Sequence, residues 1–188
     1  MTKPKLLLHI CCAPCSTTVI EQLKKEFELT LFFYNPNIHP QFEKDKRLEE
    51  CEKLSKHHKI QLIVGDYDYK NWFNFIKGLE QELEGGKRCE KCFEFRLNLA
   101  AKTAKELSFD SFTTSLTVSP HKNSKTIHKI GKNSSKKYEI DFFEGDFKKN
   151  EGYKKSIELS KELNLYRQKF CGCIFSFEEH IEKSFDHE

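Results

Sequence analysis

Short apolar runs alternate with helix-like segments along nearly the whole chain, and this alternation constrains the fold more than any other feature. The apolar runs predict five buried strands, over residues 5–10, 29–34, 60–64, 110–115 and 138–143. The segments between and after them predict helices over residues 16–25, 41–59, 71–84, 90–108, 123–135 and 152–163. Strands joined through helices form right-handed crossovers and a mostly parallel sheet. We therefore predict a single, doubly wound α/β domain over residues 1–188, with a cysteine-bearing C-terminal segment over about residues 164–188.

Residues that carry chemistry follow the predicted strands. They are Cys11, Cys12 and Cys15 after the first strand, residues 35–39 after the second, Asp66 and Asp68 after the third, and residues 119–122 after the fourth. In a doubly wound sheet the carboxyl ends of the strands meet at one edge, and ligands bind there. We therefore expect these stretches to converge on one rim, and we expect the functional site at that rim.

Six of the eight cysteines form three close pairs, which are Cys11–Cys12, Cys89–Cys92 and Cys171–Cys173. Thiolates at such spacings hold soft metals or carry electrons. A disulfide scaffold of a secreted protein is the alternative. However, the first apolar run is too short for a secretory signal, and no stretch approaches the roughly 20 apolar residues of a membrane span. We therefore expect a cytoplasmic protein whose thiols stay reduced and serve metal binding or catalysis.

Two of the pairs supply four thiolates for one metal site. Cys89 and Cys92 form a conventional chelating pair near a helix start. Cys11 and Cys12 are adjacent, so their side chains diverge and suit different corners of an iron–sulfur cluster better than one tetrahedral zinc ion. The number of thiolates suits a 4Fe–4S cluster or a structural zinc, and the position on the predicted rim favours the cluster.

The third pair indicates different chemistry. A disulfide between Cys171 and Cys173 closes only a small ring, and strained disulfides are the redox-active ones. Gly172 gives the backbone the freedom that such a turn needs. The alternatives are a second metal-binding pair or two independent thiols. Cys51 lies inside the long second helix and is predicted to be a buried structural thiol.

Other side chains near the predicted rim have two interpretations each. His9 is either a proton donor beside the cysteines or a packed core histidine. Asp66 is either an oxygen ligand or a turn residue. Lysines crowd residues 122–137 and 148–155, although the net charge is only +3. These segments either contact a phosphate backbone or form an ordinary solvated surface.

Two aromatic residues and the loop after the first predicted strand indicate which ligands the chain binds. Tyr166 and Phe170 precede the third cysteine pair and are candidates to stack on a nucleic-acid base. No glycine-rich phosphate loop follows the first strand, where a nucleotide-binding protein of this class carries one. We therefore expect no bound nucleotide, and we expect the electrons to come from an external donor protein.

Several sequence blocks resemble the QueH family, the cobalamin-independent epoxyqueuosine reductases. The blocks are LHICCAPC at residues 8–15, YNPNIHP at 34–40, RCEKC at 88–92, FTTSL at 112–116, SPHK at 119–122 and YRQKFCGC at 166–173. They extend over nearly the whole chain and are specific in combination. The match is looser over residues 146–152.

The resemblance implies a Rossmann-like or HUP-like fold and a substrate. Family members convert epoxyqueuosine to queuosine at the wobble position of tRNA, a deoxygenation that consumes two electrons and two protons. The implied 4Fe–4S ligands are Cys11, Cys12, Cys89 and Cys92, and the implied redox pair is Cys171 and Cys173. Some members hold an additional iron, which as a Lewis acid would weaken the carbon–oxygen bond. Its candidate ligands here are Cys15 and Asp66.

The resemblance also gives roles to residues around the metals. His9 and His121 become candidate proton donors. The candidate tRNA contacts are Lys122, Lys125, Lys129, Lys148, Lys149, Tyr166 and Phe170. The implied partners are tRNA and an electron-donor protein, with no cobalamin, no bound nucleotide and no membrane.

Two other functions remain as alternatives at the level of sequence. One is a zinc-stabilised RNA-binding module without catalysis. The other is a cluster-dependent tRNA-sulfur transferase of the same fold, which would need a nucleotide-gripping first loop that the sequence lacks. Metal and sulfide content distinguishes the first alternative from an iron–sulfur enzyme.

Overall fold

The computed structural model describes the backbone of residues 2–185 and the side chains of residues 2–182. Its strands are β1 (Lys5–Ile10), β2 (Glu28–Phe33), β3 (Gln61–Val64), β4 (Ser111–Thr114) and β5 (Asp141–Phe142). They form one sheet in the order β3-β2-β1-β4-β5, and every neighbouring pair is parallel. This order places β1 at the centre with later strands added on both sides. The predicted doubly wound α/β fold is therefore confirmed.

Seven helices and one 3₁₀ turn complete the described part of the chain. The helices are α1 (Ala13–Leu23), α2 (Gln41–His58), α3 (Tyr69–Phe75), α4 (Lys87–Glu106), α5 (Ser124–Tyr138), α6 (Gly152–Glu162) and α7 (Ile174–Phe185), and the 3₁₀ turn is Ser115–Val118. None of these helices is long and apolar enough to cross a membrane.

Some predicted boundaries are wrong for local reasons. The predicted helix over residues 71–84 stops early, because the chain leaves the helix after Phe75 and Gly78 takes a left-handed conformation with φ of 85°. The predicted fifth strand is shorter, since α5 continues through Tyr138 and Glu139 caps it in the left-handed region. The C-terminal segment also contains α7, which the sequence did not predict.

The sheet has a hydrophobic cluster on each face because side chains alternate along its strands. Leu6, Leu8 and Ile10 of β1 belong to the cluster covered by α1 and α2, while Leu7 belongs to the cluster covered by α4. Cys51 is completely buried in the first cluster, which confirms its prediction as a core thiol. Because both faces are covered, only the edges of the sheet are available for a site.

Candidate metal and redox site

A cavity of about 540 Å³ opens at the carboxyl edge of the sheet. Its walls come from the loop after β1, the loop after β2, the turn at residues 119–122 and the C-terminal segment before α7. Cys11, Cys15 and Cys171 line this space, and Lys122 and Arg96 also line it. The predicted convergence of the strand ends therefore produces one pocket, and part of its wall comes from the distant end of the chain.

Three thiols meet where β1 passes into α1. Cys12 is the N-cap of α1, and Cys15 lies in the first turn after it. The sulfur atoms of Cys11, Cys12 and Cys15 all lie within 4.8 Å of one another. Among the residues that the structure describes, no other group of three or more potential metal-ligating side chains is gathered this closely. Thiolates at a helix N-terminus also benefit from the unpaired backbone N–H groups and the helix dipole.

Hydrogen bonds among these three thiols give them different pKa values. The Cys12 and Cys15 thiols donate to Cys11 and hold the pKa of Cys11 well below its usual range. The hydrogen bond to Cys11 raises the pKa of Cys12 to about 11, and the pKa of Cys15 is also raised well above its usual value. Cys11 is therefore the most acidic of the three thiols, and a bound metal ion would displace protons from the group.

The other two cysteine pairs lie beside this loop. Cys89 and Cys11 both pack against one buried cluster, which includes Phe93 and Leu116. Cys92 and Cys173 share a second cluster with Trp72 and Ile76. The C-terminal pair is distant along the sequence, but the fold places it beside the Cys89–Cys92 pair.

Burial and nearby thiolate charge raise the pKa of Cys89, Cys92 and Cys173. Burial, together with the Cys171 charge, raises the pKa of Cys173 to about 11. Burial also raises the pKa of Cys89 to about 12, although the Gly85 N–H donates to its sulfur.

Arg96 and Lys122 bring positive charge to the thiols. Arg96 is only 2% exposed, donates to the Asn35 side chain and has an Nε that is buried without a hydrogen-bond partner. Burial lowers the pKa of Lys122, but the nearby Cys171, Cys11 and Cys15 thiols outweigh it and raise that pKa overall. These cations would stabilise thiolates in the cavity.

His9 is not placed to act as a proton donor. Its ring is completely buried, with Nδ1 2.9 Å from Thr114 Oγ1 and Nε2 3.1 Å from the Tyr34 carbonyl oxygen. Burial and then the charge of Arg96 lower the pKa of His9 to about 3. The alternative interpretation, a packed core histidine, applies. His121 instead lies exposed at the wall of the cavity.

The two candidate ligands for an additional iron are placed differently. Cys15 belongs to the group of three close thiols and lines the cavity. Asp66 is exposed and does not line the cavity, and its charge acts on the Tyr34 hydroxyl. The geometry therefore favours Cys15 over Asp66 as a ligand at this pocket.

The residues predicted to contact tRNA are divided between the cavity and the surface. Lys122 and Phe170 line the cavity, whereas Lys125, Lys129 and Lys149 are exposed on the surface. The Lys148 ammonium group donates to the Lys122 carbonyl at 2.6 Å, so it supports the turn that carries Lys122. Tyr166 does not line the cavity, because its hydroxyl donates to Glu43 on α2.

Several residues of the site were not assigned roles from the sequence. They are Asn35, Arg47, Arg96, Arg167, Gln168 and Lys169. The Gln168 amide donates to the Cys12 sulfur at 3.0 Å. Asn35, Arg167, Gln168 and Lys169 lie in blocks that carried the family resemblance, and Arg96 follows the block at residues 88–92; the resemblance was the available signal. Nothing in the local sequence distinguishes Arg47 from its charged neighbours.

The donor set fits a soft metal centre. Every cysteine except Cys51 lies in or beside the cavity, and thiolates are the ligands that iron–sulfur clusters and zinc prefer. The nearby cations Arg96 and Lys122 would offset the negative charge that several thiolates bring together. The close thiols of Cys11, Cys12 and Cys15 therefore fit a soft metal centre such as an iron–sulfur cluster.

The fold and the site define an α/β protein with a thiol-based centre at the carboxyl edge of a parallel sheet. A family model described as "Epoxyqueuosine reductase QueH" matches residues 6–179. The chain therefore belongs to the QueH family.

Curated relatives extend over most of this chain. The epoxyqueuosine reductase QueH of Streptococcus pyogenes serotype M1 is 41% identical over 180 residues, covering 93% of this chain and 71% of its own. The QueH of Thermotoga maritima is 40% identical over 181 residues, covering 95% of this chain and 93% of its own. The QueH of Acinetobacter baylyi is 42% identical over 177 residues, covering 93% and 81%.

Solved structures share the fold at much lower identity. A predicted subunit of a tRNA methyltransferase from Methanocaldococcus jannaschii matches with a TM-score of 0.58 and 14% identity, covering 85% of this chain and 75% of its own. The U34-tRNA thiolase NcsA from Methanococcus maripaludis, solved with its 4Fe-4S cluster, matches with a TM-score of 0.59 and 13% identity, covering 100% and 67%. These similarities support the α/β architecture.

Proposed function

We propose that the chain is an oxidoreductase that reduces epoxyqueuosine to queuosine at the wobble position of tRNA. The observation that carries this proposal is the cavity, which is lined by Cys11, Cys15 and Cys171. All three cysteines lie within the residues that the family model matches. The reaction removes the epoxide oxygen as water and consumes two electrons and two protons. We place it in the cytoplasm, where tRNA is modified and thiols stay reduced.

The proposed metal ligands follow from the donor set. Cys11, Cys12, Cys89 and Cys92 would hold a 4Fe–4S cluster, which supplies electrons one at a time when bound. Cys15 is the remaining thiol of the close group and the candidate ligand for an additional iron. The proposed reaction uses no cobalamin and no bound nucleotide, in keeping with a first loop that carries cysteines in place of a phosphate-binding sequence.

Cys171 and Cys173 are proposed to relay electrons. Closing two thiols to a disulfide releases two electrons and two protons, and converting an epoxide to an alkene and water consumes the same number. An external electron-donor protein would then reduce the disulfide by thiol–disulfide exchange or through the metals. Both residues are free thiols in the structure, and Cys171 lines the cavity. The alternative is that this pair ligates the additional iron.

The cavity walls supply the remaining groups. His121 is the candidate proton donor that is exposed at the cavity. Phe170 lines the same space and presents an aromatic ring on which an unstacked wobble base can lie. Lys122 carries its charge beside the thiols, where it would also attract the phosphate of an incoming nucleotide.

A direct assay tests the proposed activity. Anaerobically purified protein with its iron, a chemical reductant and tRNA bearing epoxyqueuosine is expected to yield queuosine, detected by mass spectrometry of the digested nucleosides as the loss of one oxygen atom. Protein from which the iron has been removed by a chelator is the control. An iron-loaded preparation that leaves the epoxide intact would contradict the proposal.

Binding of tRNA is expected to weaken steeply with salt. Lys125, Lys129 and Lys149 are exposed near the cavity side of the fold, and each phosphate contact contributes about 0.7–0.9 to the slope of log affinity against log salt concentration. Replacing all three with alanine is therefore expected to lower that slope by about 2–3. Fluorescence anisotropy of labelled tRNA at several salt concentrations measures it.

The matched control replaces three other exposed lysines with alanine. Lys25 follows helix α1, and Lys56 and Lys102 lie near the C-terminal ends of α2 and α4, at the opposite edge of the sheet from the cavity. This variant removes the same total charge and is expected to keep the original slope. Equal slopes in both triple variants would make the predicted lysine segments an ordinary solvated surface.

A further inference from the structure

Helix α2 carries three buried charged residues on one face. Glu43, Arg47 and Glu50 are 4%, 2% and 6% exposed, although most of the helix is charged and faces solvent. Their spacing of four and then three residues places them on one side of the helix. Buried charges cost free energy unless they are paired and hydrogen-bonded. The contacts of these three side chains therefore indicate what they do.

All three side chains contact the C-terminal segment between α6 and α7. Arg47 Nη1 donates to the Cys171 carbonyl at 2.8 Å and Nη2 donates to the Phe170 carbonyl at 3.3 Å. Glu50 accepts from the Tyr166 amide at 2.9 Å, and Glu43 accepts from the Tyr166 hydroxyl at 3.1 Å. We call these three residues of α2 the α2 clamp.

The arginine of the clamp is held in place by its own partner. Arg47 Nε donates to Glu43 Oε1 at 2.7 Å, so one planar guanidinium bridges a carboxylate and two main-chain carbonyls. The Arg47 Cζ atom also lies 5.3 Å from the centre of the Phe170 ring. A lysine has no fork of donors and cannot make all of these bonds at once.

The backbone at Gly172 packs tightly against the Arg47 side chain. Gly172 has φ of 123°, and a Cβ atom at this position would lie 2.7 Å from Arg47 Nη1. Its carbonyl accepts from the His39 amide at 2.7 Å, and its amide donates to Ser176 Oγ at 3.1 Å. The segment between the two C-terminal cysteines is therefore fixed on both sides.

We propose that Arg47, oriented by Glu43, is a positioning residue that holds the Phe170–Gly172 main chain so that Cys171 lines the same cavity as Cys11 and Cys15. The effect on turnover rests on the proposed function. The placement of the segment does not, because it depends only on contacts within this chain.

The test compares variants by hydrogen–deuterium exchange of the anaerobically purified, iron-containing full-length protein. Arg47→Lys keeps the charge but not the fork of donors. The double variant Glu43→Gln with Arg47→Met removes both charges, so that neither is left buried alone. Lys56→Ala changes an exposed charge on the same helix and is the matched control.

Peptides covering residues 164–173 are expected to exchange about tenfold faster in the double variant, with an intermediate increase in Arg47→Lys. Peptides from residues 48–58 of α2 and from β1 are expected to stay within about twofold of the wild-type rate in every variant. Unchanged exchange of residues 164–173 would overturn the proposal. Equal acceleration in α2 and β1 would also overturn it, because Arg47 would then support the whole fold.

Kinetics with modified tRNA give the second readout. A positioning role is expected to lower kcat about tenfold while KM for tRNA stays within about twofold. A raised KM with unchanged exchange would instead make Arg47 a direct tRNA contact and overturn the proposal. The exchange measurement contains no tRNA. If the wild-type protein fails to reduce the epoxide, the proposed function is wrong, and faster exchange in the variants still supports the placement of the segment.

Discussion

Replacing Cys89 or Cys92 by serine is expected to remove most of the iron and sulfide from the protein and to lower turnover at least about 100-fold, or about 2.7 kcal/mol of transition-state stabilisation. The physical reason is the loss of one of four thiolates at a centre whose other candidate ligands are on the adjacent loop. Cys89 and Cys11 pack against one buried cluster, and Cys92 and Cys173 belong to another. Iron and sulfide analysis and the visible absorption spectrum, recorded anaerobically, measure the outcome.

The matched control for this prediction is Cys51→Ala. Cys51 is fully buried in the hydrophobic core and does not line the cavity, so its removal is expected to leave the iron content and spectrum unchanged. Full iron and sulfide content in Cys89→Ser would show that the proposed ligand set is wrong. A colourless wild-type preparation rich in zinc would support the zinc-stabilised alternative.

The double replacement of Cys171 and Cys173 by serine is expected to keep the cluster spectrum and to lower turnover at least about 100-fold. The reason is that an electron relay is removed while the four proposed cluster ligands remain. The structure makes this a demanding test, because Cys173 is packed beside Cys92 and the Cys171 charge acts on Cys89. Spectra of the anaerobic protein and single-turnover rates are measured on the same preparation.

Two results distinguish the roles that this C-terminal pair can have. Loss of the cluster spectrum together with activity would make Cys171 and Cys173 ligands of the cluster. Retention of turnover would exclude them from the reaction. Ser176→Ala is a useful comparison, because the Ser176 hydroxyl contacts both Gly172 and Cys173 without supplying a thiol.

The sequence predicted the sheet well because its strands are short, apolar and separated by clear helical segments. The same alternation placed Cys11, Cys12 and Cys15 at the carboxyl edge, since their position after β1 follows from connectivity alone. The boundaries that failed depend on single backbone conformations, such as the left-handed residues Gly78 and Glu139. Side-chain type predicts such conformations only weakly.

The parts of the site that the sequence missed depend on contacts between distant residues. Arg47 and Cys171 are separated by 124 positions, and no local pattern indicates that they meet. His9 illustrates a related limit. Its position at the end of β1, next to the cysteines, suggested chemistry, but its partners Thr114 and Tyr34, which lie on or beside other strands, make it a structural residue.

The bonds of His9 have a consequence for how the cavity can change shape. One rigid ring on β1 connects to β4 through Thr114 and to the end of β2 through Tyr34, so it spans the three central strands at the level where the loops of the site begin. The distances between those loops are therefore set by the size of an imidazole. When tRNA enters, we expect the spacing of the three strand ends at the floor of the cavity to stay constant. Any widening must then come from the turn at residues 119–122 and from the wall that the end of the chain supplies.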